Sequence, residues 1–210
     1  MSVIELTQLQ QKIRACTLCV EAGHIPAAHP ILHGSERARI MVLGQAPGPT
    51  ASERPLPYSG ASGRTLRGWL RRAGFEEDAL YDPERFYLTS VTKCFPGRAT
   101  NGKGDRAPSR AEIELCSRHL DRELAMVRPE LILALGRLSI GTLVRSLRAL
   151  PLAKIIGSAV PAEYPAAAGA LVLPLPHPSG VSRWHNEPAH QQILADALRW
   201  LGEERVRRNW

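Results

Sequence analysis

Short apolar segments that alternate with helical segments constrain the fold of this 210-residue chain more than any other feature of its sequence. Each apolar segment has the length of a buried strand, and helical patterns occupy the stretches between them. The predicted strands cover residues 39–44, 85–91, 131–135 and 171–175. Because strands joined through helices pair in parallel, the sequence predicts an α/β fold with a mostly parallel sheet covered on both faces.

Capping residues mark the boundaries of several connecting helices. The predicted helices cover residues 4–13, 62–74, 109–127, 137–147 and 186–201. Ser109 and Glu112 have the spacing of a capping box, and Ser62 is the expected N-cap of the second helix. The Ala-, Gly- and Pro-rich stretch 161–170 is predicted to be a loop, and the polar residues 203–210 are predicted to form a frayed tail.

The composition is that of one globular domain, predicted to cover residues 1–202. Hydrophobic residues make up 44% of the chain and charged residues 22%, which excludes an intrinsically disordered or collagenous protein. No apolar run reaches the roughly 18 residues of a membrane span, and the N-terminus lacks the pattern of a signal peptide. We therefore expect a cytoplasmic protein that has no membrane partner and is a monomer by default.

Four cysteines, Cys16, Cys19, Cys94 and Cys116, give the first specific chemical signal. Cytosolic thiols stay reduced, so a disulfide framework is not expected. A zinc ribbon needs two close pairs, whereas this chain has only Cys16 and Cys19. The set is interpreted as four thiolates that hold an iron–sulfur cluster or a structural zinc ion, and spacing alone does not separate the two. The alternative is that Cys94 and Cys116 are small buried hydrophobic residues.

Three loops that follow predicted strands are rich in Gly, Pro and polar residues. They are 44–48 (Gly-Gln-Ala-Pro-Gly), 90–94 (Ser-Val-Thr-Lys-Cys) and 177–180 (His-Pro-Ser-Gly). In open parallel α/β sheets, ligands bind beyond the carboxyl ends of the strands. The loops therefore predict a ligand cleft at that edge of the sheet.

Taken together, these loops resemble the motifs of the uracil-DNA glycosylase superfamily, most closely its iron–sulfur-containing family 4. That family has Gly-Glu-x-Pro-Gly where this chain has Gly-Gln-Ala-Pro-Gly at 44–48. The later family motifs are Gly-x-Pro-Phe-x-Gly, Thr-Asn-x-x-Lys-Cys and His-Pro, and they are matched at 54–63, 89–94 and 177–178. The order of the cysteines also matches, and the resemblance covers about residues 13–201.

This resemblance implies a three-layer α/β/α sandwich with a central four-stranded, mostly parallel sheet. It implies that Cys16, Cys19, Cys94 and Cys116 bind a [4Fe–4S] cluster with a structural role. Such a cluster would tie the N-terminal helix to the 94–116 segment and add to the free energy of folding. The implied activity is DNA repair, by hydrolysis of the bond between deoxyribose and uracil, or another deaminated base, after base flipping.

Two residues of this resemblance are candidates for catalysis. An imidazole N–H of His177 would stabilise the negative charge that develops on the departing base. Gln45 stands where the family has Glu, and an amide cannot serve as a general base near neutral pH, so it is expected only to orient a water molecule. Glu53 is a nearby carboxylate that could substitute for the missing Glu, although a solvated loop charge is the favoured interpretation.

The base-binding candidates are Gly44, Ala46, Tyr58 and Ser90. Tyr58 matches the family aromatic that stacks on the flipped base, a contact that contributes roughly 1–3 kcal/mol. Ser90 stands where the family has Asn. Because one hydroxyl offers fewer hydrogen bonds than an amide, we expect Ser90 to discriminate less sharply between bases and to allow other deaminated bases.

The formal net charge of +7 permits a polyanionic partner without requiring one. The predicted DNA contacts, which include the basic loop 93–110 and the late loop, are Lys93, Arg98, Lys103, Arg106, Arg110, Ser179, Gly180, Val181 and Arg183. Val181 or Trp184 is the candidate apolar wedge that fills the gap left by the flipped base.

Two alternatives stay open at this point. Gln45 and Ser90 would also suit a non-catalytic iron–sulfur relative that binds DNA or senses damage. A small redox protein that uses the cysteine cluster is the third interpretation, and the His177 loop and the basic loop argue against it.

Overall fold

The computed structural model of the protein describes residues 3–53, 55–100, 104–180, 184 and 187–210. The predicted DNA contacts Lys103, Val181 and Arg183 lie outside the described residues. Within the part of the chain that is described, no helix is long and apolar enough to cross a membrane.

A five-stranded sheet forms the centre of the fold. Its strands are β1 (Ile40–Gly44), β2 (Phe86–Ser90), β3 (Leu131–Leu135), β4 (Val160–Pro161) and β5 (Leu171–Leu175). They lie in the order β2-β1-β3-β5-β4, and every pairing is parallel except that of β4 with β5. The predicted α/β fold with a mostly parallel sheet is confirmed, with five strands where four were expected.

The additional strand, β4, is a two-residue edge strand. It pairs Val160 with Val172 and Pro161 with Leu171. A strand this short shows no alternation of apolar and polar residues, and proline is tolerated in a sheet only at such an edge. For these reasons the sequence predicts a loop over 161–170 from its first residue, although Pro161 belongs to β4.

Seven α-helices are described. They are α1 (Val3–Arg14), α2 (Leu18–Glu21), α3 (Ala61–Arg72), α4 (Arg110–Val127), α5 (Gly136–Leu143), α6 (Leu152–Ile155) and α7 (Pro188–Arg208). Helix α1 packs against α4, and α3 packs against α7. Every residue of β1, β2 and β3 is buried, so helices cover both faces of the sheet.

The capping predictions have different outcomes at α4 and α3. The predicted box at α4 is present: the Ser109 hydroxyl accepts from the Glu112 N–H, and the Glu112 carboxylate accepts from the Ser109 N–H at 2.7 Å. The prediction for Ser62 is wrong, because Gly60 occupies the N-cap and Ser62 lies inside the first turn of α3. A glycine can take the N-cap without any side-chain hydrogen bond.

The prediction of a frayed C-terminal tail is also wrong. Helix α7 continues to Arg208, and Trp210 is only 9% exposed where it packs against the core. The indole N–H of Trp210 lies 3.3 Å from the Glu130 carboxylate, which also pairs with Arg208. The polar sequence of this segment reflects ion pairs on the outer face of a helix.

The sheet brings the three predicted loops to one edge. Gly44 at the end of β1 lies beside Ser90 at the end of β2. Strand β1 lies between β2 and β3 in the sheet. The connections to these two neighbours therefore run to opposite sides of β1, and this arrangement leaves a crevice at the carboxyl end of β1. His177 follows two residues after the end of β5.

Candidate active site and four-cysteine cavity

A cleft of about 510 Å³ opens where the loops after β1, β2 and β5 meet. This volume lies within the range of clefts that bind small molecules. The predicted site residues that line it are Gly44, Gln45, Ala46, Tyr58, Ser90, Arg98, Arg106, His177 and Ser179. Gly180 is exposed and is not among the lining residues.

His177 is positioned by its own loop. Its Nδ1 accepts a hydrogen bond from the Ser179 backbone N–H at 3.2 Å and lies 2.8 Å from the Ser179 hydroxyl. Because Nδ1 accepts, a neutral ring carries its proton on Nε2. Burial lowers the pKa of His177 below its ordinary value, and Asp105 opposes this effect. The imidazole is therefore a neutral N–H donor near pH 7.

Gly136, the first residue of α5, makes room for His177. Its φ of +81° lies in the left-handed region, which side-chain-bearing residues rarely adopt. A Cβ at this position would lie 3.3 Å from the Cβ of His177 and 3.4 Å from its ring. A glycine is thus required here both for the backbone conformation and for the position of the imidazole.

Tyr58 is held in an unusual conformation at the side of the cleft. Its φ is +58°, a strained value for a tyrosine, and its carbonyl accepts a hydrogen bond from the Tyr81 hydroxyl at 2.8 Å. Two glycines permit its approach: a Cβ on Gly63 would lie 1.5 Å from the Tyr58 carbonyl, and one on Gly44 would lie 2.5 Å from the Tyr58 hydroxyl. Burial raises the pKa of Tyr58, so the phenol stays neutral.

The hydroxyl proton of Ser90 is used in a hydrogen bond within the protein. Ser90 is buried, and its Oγ donates to the Thr92 carbonyl at 2.7 Å. Toward a ligand in the cleft the hydroxyl can therefore only accept a hydrogen bond. The Thr92 N–H donates to the Gln45 carbonyl at 3.2 Å, which joins the loops that follow β1 and β2.

Asp105 is the one carboxylate among the described residues that line the cleft. It forms an ion pair with Arg98 at 3.0 Å, and it raises the pKa of His177. Glu53, the substitute considered from the sequence, is exposed and does not line the cleft. The carboxylate that lines the cleft therefore comes from a different loop.

The prediction that Lys93 contacts DNA is contradicted by its burial. Lys93 is 1% exposed, and its Nζ lies 2.5 Å from the Glu123 carboxylate in α4. The ammonium also donates to Thr89 Oγ1 at 2.7 Å and to the Ser90 carbonyl at 2.6 Å. Its charge is neutralised inside the protein, so it has no access to a phosphate.

The other basic residues predicted to contact DNA differ in whether their charged groups are accessible to a phosphate. Arg106 lines the cleft, but its guanidinium binds both oxygens of Glu112, at 2.6 and 2.8 Å. The side chain of Arg98 is 64% exposed despite its pair with Asp105. Arg110 is 92% exposed and pairs with Glu114 one helical turn away. Arg98 and Arg110 are therefore accessible, whereas Arg106 is engaged with α4.

Trp184, one of the two wedge candidates, has a packing role in the structure. Its ring stacks on His190 with the ring centroids 4.3 Å apart and the planes nearly parallel. It also packs against the hydrophobic core. A wedge that enters DNA would have to leave both contacts.

The four cysteines line one small, separate cavity. All four are free thiols in the structure, and the backbone N–H of Lys93 donates to Cys116 Sγ at 3.3 Å. Burial raises the pKa of Cys94 to about 12 and that of Cys19 to about 11, and the neighbouring cysteines add to both effects. Four partly or fully buried thiols that line one cavity are costly as unbound thiolates, and metal binding relieves that cost.

The donor set of this cavity fits an iron–sulfur cluster. Among the described residues, no three His, Cys, Asp or Glu side chains are arranged as ligands of one metal ion. A cubane cluster has a different requirement, since each of four thiolates binds a separate iron atom. The cavity is lined by four cysteines from α2, α4 and the flanking loops, which is the donor set that a [4Fe–4S] cluster takes.

Comparison with known proteins agrees with this geometry. The profile of the uracil DNA glycosylase superfamily matches residues 32–201. The chain belongs to the uracil DNA glycosylase superfamily. The matched region contains every cleft residue named above, together with Cys94 and Cys116, whereas Cys16 and Cys19 precede it.

Individual relatives carry the same family name. The chain is 29% identical over 136 residues to the type-4 uracil-DNA glycosylase of Pyrobaculum aerophilum, and 30% identical over 136 residues to that of Archaeoglobus fulgidus. These matches cover 65% and 63% of the chain but only 63% and 60% of the relatives. A third match, to the type-4 enzyme of Thermotoga maritima, is 24% identical over 189 residues and covers 90% of the chain and 88% of the relative.

Several residues of this superfamily site were missed in the sequence. Asp105 lies in a segment of mostly basic charged residues, and nothing in the local sequence pattern distinguishes its carboxylate from a solvent-exposed one. Gly136 did carry a signal, because a glycine directly after a buried strand indicates a close approach of the backbone. Glu123, the partner of Lys93, lies on the apolar side of α4, and a buried acidic residue on a helix predicts a paired charge.

Proposed function

We propose that the protein is a DNA glycosylase that hydrolyses the N-glycosidic bond of uracil in DNA. The observation that carries the proposal is the neutral imidazole of His177, with its remaining donor on Nε2, in a base-sized cleft beside Tyr58 and Ser90. The names of the type-4 relatives support the same reaction and substrate.

The reaction begins with a base that leaves the DNA stack and enters the cleft, at a cost of a few kcal/mol. Tyr58 offers its aromatic face to this base. As the glycosidic bond breaks, negative charge develops on the base oxygen, and the Nε2–H of His177 stabilises it. Removal of one such donor typically lowers the rate by about 100- to 1000-fold. A neutral donor suits this task, since it is positioned by Ser179 and needs no proton from solvent.

The water molecule that attacks the sugar needs a partner on the other side of the cleft. Gln45 can accept a hydrogen bond from this water but cannot take its proton. We assign the negative charge to Asp105, which lines the same cleft and whose carboxylate can stabilise the cationic sugar of the transition state. This division replaces a single Glu with an amide from the loop after β1 and a carboxylate from the loop of Arg98.

Recognition of the base edge rests on an acceptor at Ser90. Uracil and hypoxanthine both present a ring N–H on their pairing edge, and the Ser90 hydroxyl can accept from either. The family's Asn would add a donor for the neighbouring carbonyl of the base. Gly44 and Ala46 form the rest of the base-binding surface. The proposed main substrate is therefore DNA that contains uracil. Because Ser90 replaces the Asn of the family, we expect the protein to accept other deaminated bases more readily than relatives with Asn do.

We also propose a [4Fe–4S] cluster held by Cys16, Cys19, Cys94 and Cys116. When bound, it supplies cross-links between the N-terminal segment, the end of the Ser90 loop and α4, and it contributes no step to hydrolysis. A cytoplasmic location and a monomeric state with one domain are also part of the proposal. The proposed DNA contacts are Arg98 and Ser179, which line the cleft, and Lys103, Arg110, Gly180, Val181 and Arg183.

The decisive test is a single-turnover assay on oligonucleotides that carry one uracil, in single and double strands. Wild type should release uracil, and His177→Ala should be slower by about 100- to 1000-fold. His29→Ala changes an exposed histidine outside the cleft and should match wild type. If wild type and His177→Ala are equally inert on uracil, hypoxanthine and xanthine, the protein is a non-catalytic DNA-binding relative and the proposal is wrong.

A further inference from the structure

Two buried polar atoms at the four-cysteine cavity have no hydrogen-bond partner among the described residues. They are Oγ1 of Thr92 and Nε2 of His119. Thr92 is 4% exposed and His119 is 8% exposed, and both line the cavity together with the cysteines. A buried polar atom without a partner costs about 1–3 kcal/mol, so two at one cavity call for a ligand. The Thr92 hydroxyl is a donor, and His119 Nε2 is one in the tautomer that carries its proton there, so the ligand that satisfies both is a hydrogen-bond acceptor.

Two carboxylates of this region, those of Glu123 and Glu112, already accept hydrogen bonds from other groups. The Glu123 carboxylate is occupied by Lys93, Thr89 and Tyr87. The Glu112 carboxylate is occupied by Arg106 and by the cap at Ser109. A histidine ring carries a proton on at least one nitrogen at any pH of interest, so Nε2 of His119 can donate to an acceptor in the cavity.

We propose that Thr92 and His119 donate hydrogen bonds to sulfur atoms of the iron–sulfur cluster, and that these bonds set its reduction potential and its resistance to oxidative loss. This inference rests on the proposed cofactor. The sulfides and thiolates of such a cluster are negatively charged acceptors, and hydrogen bonds to them stabilise the more reduced state. The backbone N–H of Lys93, which donates to Cys116 Sγ, is a third donor of the same kind.

This arrangement gives the two side chains a role that differs from that of the cysteines. The cysteines bind iron, whereas Thr92 and His119 are positioning residues that act on the ligand sulfur atoms. Thr92 lies between Ser90 and Cys94, so the same short loop carries a base-binding hydroxyl, a cluster donor and a ligand.

The test uses the full-length protein purified without oxygen, with iron, sulfide and visible absorbance measured first. His119→Phe and Thr92→Val keep size and remove the donor. Each should lower the midpoint potential of the cluster and speed its bleaching by ferricyanide, with roughly 10-fold or greater loss of iron to a chelator. His119→Gln and Thr92→Ser retain a donor and should stay closer to wild type.

Ser139→Ala is the matched control. The Ser139 hydroxyl is also buried and unpartnered, but it lies in α5 and does not line the cavity. It should leave the potential and the bleaching rate unchanged. If His119→Phe does not retain iron, the proposal is tested by the midpoint potentials and bleaching rates of Thr92→Val, Thr92→Ser and His119→Gln.

The outcomes separate two failures. If wild type contains no iron or sulfide, the proposed cofactor is wrong and the inference falls with it. If the cluster is present, and its potential and bleaching rate in His119→Phe and Thr92→Val equal those of wild type, only the inference about the two donors is wrong.

Discussion

The buried ion pair between Lys93 and Glu123 gives the sharpest quantitative prediction. Both side chains are at most 2% exposed, and their charged atoms lie 2.5 Å apart. The Tyr87 and Thr89 hydroxyls also bind Glu123, so the carboxylate has partners that survive a change at Lys93. Lys93→Met keeps the aliphatic stem and leaves Glu123 buried without its counter-charge.

The expected loss of stability follows from that uncompensated charge. Removal of one partner of a buried pair costs about 3–5 kcal/mol. For a chain of this size, each kcal/mol lowers the Tm by about 2–4 °C, so Lys93→Met should lower it by roughly 6–20 °C. A double variant, Lys93→Met with Glu123→Gln, removes both charges and should recover much of this loss.

Thermal and urea unfolding of the cluster-loaded protein, followed by circular dichroism, would measure these effects. Arg110→Met is the control: its pair with Glu114 is exposed, so the Tm should barely change. The reasoning is refuted if Lys93→Met is no more destabilising than Arg110→Met. It is also refuted if the double variant is as unstable as the sum of the two single variants, because the two charges would then be independent.

Three further predictions concern the cleft. Gly136→Ala should slow uracil release by about 10-fold or more, because its Cβ would displace His177, and its left-handed φ should also lower the Tm by about 2–8 °C; single-turnover rates of the folded variant and unfolding curves separate the two effects. Burial lowers the pKa of His177 below its ordinary value of about 6.5, and protonation of Nδ1 would break the hydrogen bond from the Ser179 N–H that orients the ring, so the rate should fall only below that pH; Asp105→Asn should move this limb to lower pH, and a shift to higher pH would contradict the assignment. Ser90→Asn should increase the ratio of uracil to hypoxanthine excision, and an unchanged ratio would show that Ser90 does not read the base.

The elements of the fold that could be predicted from the sequence are those with a strong local signal. The four main strands are continuous apolar runs because both faces of a parallel sheet are buried. The capping box of Ser109 and Glu112 is likewise local, since both partners lie within one turn. Strand β4 and the end of α7 depend on contacts with Val172 and Glu130, which are distant in sequence.

The same division applies to the candidate site. The loops after β1, β2 and β5 could be assigned to one cleft, because parallel strands present their carboxyl ends together. Whether a basic residue in these loops is free could not be predicted. Lys93 and Arg98 both stand in a polar, basic loop, yet one is buried against Glu123 and the other is exposed. Lys93 is buried because its ammonium meets Glu123 of α4, a partner 30 residues later in the chain, whereas Arg98 pairs with Asp105 in its own exposed loop.

Gln45 shows why activity cannot be inferred from one motif position. Taken alone, an amide in place of a carboxylate indicates a lost general base and hence a weak or inactive enzyme. The transition state needs negative charge near the sugar, however, and does not need it from a particular loop. Asp105 supplies a carboxylate to the same cleft from a segment 60 residues later in the chain, within electrostatic reach of His177. If Asp105→Asn lowers the rate of uracil release far more than Gln45→Ala does, the charge has moved between loops while the reaction has been retained.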